Sequence, residues 1–176
     1  MAIRVRSKPK VERVSNSAFN SAYELLSHAQ QNGISIRPLD LAGLCKSLNI
    51  LINYKPLRDN LSGSLEYLND RWVITVNALH HEGRQRFTIA HELGHYCLHK
   101  QSTNDSFDDE IFHRGNGYDS KEFQADNFAG ELLMPEDDFR SYINNVSTNI
   151  NEIADYFGAS AMAVRKRADI LRQGRK

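Results

Sequence analysis

The chain has 176 residues, 40% of them hydrophobic and 25% charged, and its 22 Lys+Arg balance its 22 Asp+Glu. That length buries one real core, and the composition is ordinary for a soluble globular protein, without internal repeats or low-complexity segments. A formal charge of zero calls for neither nucleic acid nor an acidic membrane surface as partner.

Residues 1–14 are basic (Arg4, Arg6, Lys8, Lys10), carry no helical period and read as a loose arm. From Ser17, the residues Phe19, Ala22, Tyr23, Leu26 and Ala29 fall at helical spacing, and Gly33 is a natural stop. Pro38 suits the first turn of a second helix whose Leu41, Leu44, Cys45 and Leu48 share a face. The period then changes. Ile50–Tyr54 reads as a strand, and Ser64–Leu68 and Trp72–Asn77 flank Asn69-Asp70 as a hairpin. Trp72–Asn77 reads as a core hairpin strand, and if it is also a sheet edge it could pair with an extended substrate by strand addition.

A helix follows from His80 or Gly83 to His99, apolar around most of its circumference and therefore buried. Lys100–Ser120 is a polar loop with a short strand expected at Ile111-Phe112, and loops of that length are usually functional. Helix returns over Lys121–Leu133 and ends at Met134-Pro135, after which Glu136, Asp137 and Asp138 open another helix with the charge its dipole prefers. Ile150–Phe157 and Ala161–Arg172 complete the chain. The expected fold is α+β: a mostly helical core, a small antiparallel sheet of about three strands and a C-terminal helix pair. The expected organisation is a basic arm at 1–14, a main domain at 15–146 and a helix-turn-helix-like helical hairpin at 147–176.

Cys45 and Cys97 lie in apolar helical stretches and read as buried thiols rather than a disulfide framework. The basic start is not followed by an apolar run, and no stretch approaches the length of a membrane span, so a cytoplasmic address without membrane association is expected.

The buried helix carries His91-Glu92-Leu93-Gly94-His95. Positions four apart share a helix face with Cβ atoms roughly 5–6 Å apart, close enough for two imidazoles to hold one Zn²⁺. Glu92 leans over the same point and can take a proton from water activated there. A catalytic zinc normally has three protein ligands, and the downstream candidates are His99, His113 and the acids of the helix from Lys121. Three ligands at i, i+4 and i+8 drift around a straight helix, so His99 reads as a histidine outside the ligand set. Glu122 is the better third ligand. It opens the next helix, and Asp126, four residues on, shares its face and can accept the other N–H of a ligand histidine. Zinc so held acidifies water toward a pKa of roughly 7 and polarises a scissile carbonyl, with Glu92 as base. Tyr118 and His113 are candidate donors to the oxyanion.

The blocks Arg86-Phe87-Thr88-Ile89-Ala90 before the motif, Glu122-Phe123-Gln124-Ala125-Asp126-Asn127-Phe128-Ala129, and Glu131-Leu132-Leu133-Met134-Pro135 together resemble the ImmA/IrrE family of zinc peptidases over roughly residues 35–140. The strand ending Ile74-Thr75-Val76-Asn77 fits the same pattern. The resemblance implies a zincin-like core and a gluzincin-type site holding one Zn²⁺ per chain, with His91, His95 and Glu122 as ligands and Glu92 as general base. It also implies cleavage of a helix-turn-helix (Xre-like) repressor or antitoxin, which would derepress a mobile-element, stress or toxin–antitoxin operon. The rival reading is a toxin or co-regulator that keeps the zinc fold but acts by binding a DNA-binding partner.

Asn151–Arg167 has the look of a helix-turn-helix, with Gly158 in the turn, Ser160 as cap and Arg165, Lys166 and Arg167 in succession. Its expected role is an αα-hairpin packed on the core through Ile153, Phe157, Val164 and Ile170, or docked to a partner. Direct nucleic-acid binding is not expected.

Overall fold

A computed structural model of the chain describes residues 19–58, 61–99, 107–110 and 120–173. The first helix, α1 (Ala22–Gln31), is capped by Ser21, whose hydroxyl accepts from Glu24 N at 3.2 Å, and it buries Ala22, Leu25, Leu26 and Ala29. Helix α2 (Leu41–Ser47) begins later than Pro38 indicates. Asp40 is its cap, with Oδ1 accepting from Gly43 N at 2.9 Å, so the proline stands in the turn before the helix.

Strands β1 (Ile50–Lys55), β2 (Leu61–Leu68), β3 (Arg71–Asn77) and β4 (Phe107–Glu110) form one sheet in the order β1-β3-β2-β4. The expectation of about three antiparallel strands is corrected on two points. A fourth strand closes the sheet beside β2, and β1 runs parallel to β3. The β2–β3 hairpin is as expected: Asn69 and Asp70 have φ of 48° and 62°, the doubly positive pair of a tight hairpin turn. Because β2 folds back beyond β3, the latter is interior, buried from Val73 to Asn77 and paired on both sides. It is therefore not an edge and has no free ladder for a substrate strand. The outer strands of the described sheet are β1 and β4. Ile111 and Phe112 lie outside the described residues.

Helix α3 (Glu82–Leu98) crosses the sheet against β2 and β3, and every residue from Thr88 to Cys97 is buried. Its approach is set by Asn77, which donates from Nδ2 to Leu61 O at 2.8 Å and accepts at Oδ1 from Leu57 N and Leu79 N. Gln85 then ties the start of the helix to His80 O at 2.7 Å. Against another face of α3 lies α4 (Ser120–Leu133), which also packs on α1. Gly94 makes this packing close: a Cβ there would stand 3.1 Å from Ala125 Cα and 3.3 Å from Phe128 Cβ. Leu65, Ile74, Leu93, Leu132 and Leu133 are almost fully buried in the resulting core, each contributing about 1.5–3 kcal/mol of transfer free energy. Cys45 and Cys97 are buried thiols, not joined in a disulfide.

Helices α5 (Glu136–Asn145), α6 (Ile150–Phe157) and α7 (Ala161–Gln173) complete the fold. Asn149 and Ser160 cap α6 and α7, and Gly158 ends α6 in the left-handed region at φ 61°. Ile153, Phe157 and Val164 are buried as expected, but Leu171 takes the inward position assigned to Ile170. Arginines fasten the hairpin to the core. Arg86 on α3 donates to Gly158 O and to Leu39 O, both at 2.7 Å, and Arg167 donates to Met134 O at 3.0 Å. Among the described residues no helix is long and apolar enough to cross a membrane.

Candidate metal centre

Two adjacent helices build the site. One turn of α3 projects His91 and His95 toward α4, and the first turn of α4 projects Glu122 back at them. The Nε2 atoms of the two histidines stand 3.0 Å apart. Glu122 straddles them, with Oε2 3.1 Å from His91 Nε2 and Oε1 3.2 Å from His95 Nε2. All three side chains offer an atom within 4.8 Å of the others. A tetrahedral ion with bonds near 2.05 Å holds its donors roughly 3.3 Å apart. The donor set, two imidazoles and a carboxylate at 3.0–3.2 Å, therefore fits zinc in both chemistry and spacing.

The outward nitrogens are also engaged. His91 Nδ1 lies 3.0 Å from Asp126 Oδ1 on α4, one turn beyond Glu122. A proton on Nδ1 donated to that carboxylate leaves the lone pair of Nε2 facing the shared point. His95 Nδ1 lies 3.0 Å from His99 Nδ1, and His99 Nε2 is 3.2 Å from Gln124 Oε1. His99 thus stands behind His95, on the side away from Glu122. Burial lowers the His99 pKa against the opposing effect of the Gln124 hydrogen bond. Burial pushes the Glu122 carboxyl up, but the hydrogen bonds and positive charge that His91 and His95 offer when protonated at Nε2 outweigh it and hold the group at about 2.

Glu92 is fully buried on the sheet side of α3. Strand β2 passes directly over it at Gly63, where an added Cβ would lie 3.7 Å from Glu92 Oε1. The structure thus brings together His91, His95, Glu122, Asp126 and His99, with Glu92 next in chain to His91 and against β2 at Gly63. Tyr118 and His113 lie outside the described residues. Two contributors escaped the sequence reading. Gly63 carries no motif, and Lys166, read as one of a basic triplet, places Nζ 2.7 Å from Asp126 Oδ2. Forty residues separate that pair in the chain, and no local pattern announces it.

Comparisons with known proteins bear on the family and the fold. A family model described as the IrrE N-terminal-like domain, peptidase family M78, matches residues 45–169. A Mycobacterium tuberculosis transcriptional regulator of known structure superposes with a TM-score of 0.57 at 23% identity over 81% of this chain, a likeness of fold. This chain spans 44% of that protein's length. No curated protein matches. Since the family model takes in well over half of the residues, including every described member of the site, the chain belongs to the IrrE N-terminal-like, or M78, peptidase family.

Proposed function

We propose that this protein is a zinc-dependent endopeptidase that cleaves a helix-turn-helix repressor or antitoxin and so relieves repression of the operon it controls. Family membership points to a metallopeptidase-type regulator of transcription. The observation that carries the finer reading is the convergence of His91, His95 and Glu122 beside a fully buried Glu92. A structural zinc site is closed by four ligands, whereas three protein donors leave a position open.

His91, His95 and Glu122 would hold the zinc, which when bound would supply Lewis acidity toward water and the scissile carbonyl. Glu92 takes the proton of the attacking water and returns it to the amide nitrogen as the C–N bond breaks. Asp126 keeps His91 in the tautomer that presents Nε2, and Glu122 partly neutralises the charge of the site. Gly63 lets β2 lie against Glu92 and narrows the space around the base. The outer strand on that side of the sheet is β4, which offers an extended substrate a backbone ladder.

The test is co-incubation of the zinc-loaded protein with a helix-turn-helix protein encoded beside it, followed by intact mass. Fragments with the wild type and none with Glu92→Gln support the proposal. An uncleaved, stable complex with both proteins would replace it with regulation by binding.

A further inference from the structure

We propose that Lys166, on the C-terminal hairpin, is a positioning residue for the metal centre, acting through Asp126. The inference rests on the zinc reading of His91, His95 and Glu122. Asp126 divides its two oxygens: Oδ1 stands 3.0 Å from His91 Nδ1 and Oδ2 stands 2.7 Å from Lys166 Nζ. Its side chain is only 9% exposed, while that of Lys166 is 53% exposed. A carboxylate so nearly removed from water needs compensation, and a half-open lysine supplies a full charge without much desolvation cost of its own.

Geometry adds to charge. A carboxylate held at one oxygen alone can rotate about χ2, and that torsion is soft. Held at both, Asp126 has a fixed plane, and the direction in which it accepts from His91 Nδ1 is fixed with it. The ring of His91 then presents Nε2 at one angle to the shared point. The chain Lys166–Asp126–His91 runs from α7 through α4 to α3, so three elements distant in sequence set one ligand. Val164 and Arg167, on either side of Lys166, are buried, and Arg167 is anchored to Met134 O, which fixes the segment that carries the lysine. The hairpin is thereby an integral part of the site.

The experiment is metal binding by the full chain, stripped and then titrated with Co²⁺ and with Zn²⁺ against a chelating indicator. Wild type is compared with Lys166→Met, Lys166→Arg, Asp126→Asn and the Lys166→Met/Asp126→Asn pair. Loss of a partner to a metal-bound histidine costs roughly 10–100-fold in affinity, and the lysine, one step further out, is expected at roughly 3–10-fold. Lys166→Met should weaken binding by that factor in the wild-type background, by nothing further once Asp126 is Asn, and Lys166→Arg should restore it. The Co²⁺ absorption bands should shift in Lys166→Met and return in Lys166→Arg. A merely structural lysine would lower the melting temperature equally in both backgrounds and leave affinity and spectrum alone, which overturns the proposal while the zinc reading stands. A wild type that binds neither ion overturns both.

Discussion

Gly63 is the position where the fold around the proposed base has least room to give. A Cβ built there would lie 2.5 Å from Thr88 Cγ2 and 2.6 Å from Thr75 O, each roughly 0.8–0.9 Å inside ordinary contact. The methyl of Thr88 belongs to a side chain whose hydroxyl is tied to Arg84 O at 3.1 Å. The oxygen of Thr75 belongs to β3, which is paired on both sides and cannot step aside without loosening two ladders. Gly63→Ala is therefore expected to destabilise by about 2–3 kcal/mol, at the upper end of overpacking costs. For a chain of this size that is a melting-point fall of roughly 4–12 °C. Thr88→Ser removes one obstacle and keeps the hydroxyl, at about 1 kcal/mol when introduced alone. In combination the two changes should cost less than their sum, by roughly 0.5–1.5 kcal/mol, because the serine vacates space that the alanine needs. Urea and thermal unfolding of the four proteins give the cycle. A Gly63→Ala protein within about 0.5 kcal/mol of wild type would refute the close approach of β2 to α3. So would strict additivity, since the Thr88 methyl would then not be the obstacle.

Glu92→Gln should retain zinc to within about twofold and lose roughly 10²–10⁴ in peptidase rate, since only proton transfer is removed; metal analysis beside a turnover assay checks both halves. Glu122→Ala should instead lose the metal, read by the same titration, because two imidazoles alone hold zinc weakly. Gly94→Ala gains about 1 kcal/mol of helix propensity but presses on Ala125 and Phe128, so its net cost should be well below that of Gly63→Ala in urea unfolding. Burial pushes the Cys45 thiol up to about 12 from an ordinary value of 9.0, helped by Asp40 and Cys97. An acid whose folded value is raised stabilises fully below its unfolded value and loses that contribution as pH rises toward the folded one, here between pH 9.0 and about 12. At pH 8 Cys45 should resist iodoacetamide until the protein is unfolded, and rapid native labelling by mass spectrometry would contradict its burial.

What the sequence discloses is what lies within one helical or strand period. His91 and His95 share a helix face, Glu122 and Asp126 share another, and the turn at Asn69-Asp70 declares itself by residue type. Each of these is a local constraint of backbone geometry, and each element is where its pattern places it. What stays hidden is adjacency between distant segments. The run from Val73 to Asn77 looks the same at an edge as in the interior, so the insertion of β3 between β1 and β2 is settled only by how the connecting chain folds back. Pro38 suits a helix start, yet Asp40 is the residue whose oxygen meets the exposed amide at Gly43 N. Gly63 is invisible for a related reason: its meaning comes from Thr75 and Thr88, neither of which is its neighbour in sequence.

The C-terminal hairpin shows how such contacts change a functional inference. In sequence, Arg165, Lys166 and Arg167 form a basic triplet on the second helix of a helix-turn-helix pattern, and a DNA-reading face would use them against phosphate. Each cation that neutralises a phosphate contributes about 0.9 to the salt dependence of binding, so the number free to do so decides the affinity available. In the fold, Arg167 is buried and bonded to Met134 O, and Lys166 is paired with Asp126. Of the three, only Arg165 is left facing solvent without one of these inward contacts. Turning Lys166 outward to a phosphate would strip Asp126 of its counter-charge and disturb the orientation of His91. Duplex binding through this face would thus work against the proposed metal centre beneath it. The same two cations that give the triplet its nucleic-acid appearance are the ones that join the hairpin to the site.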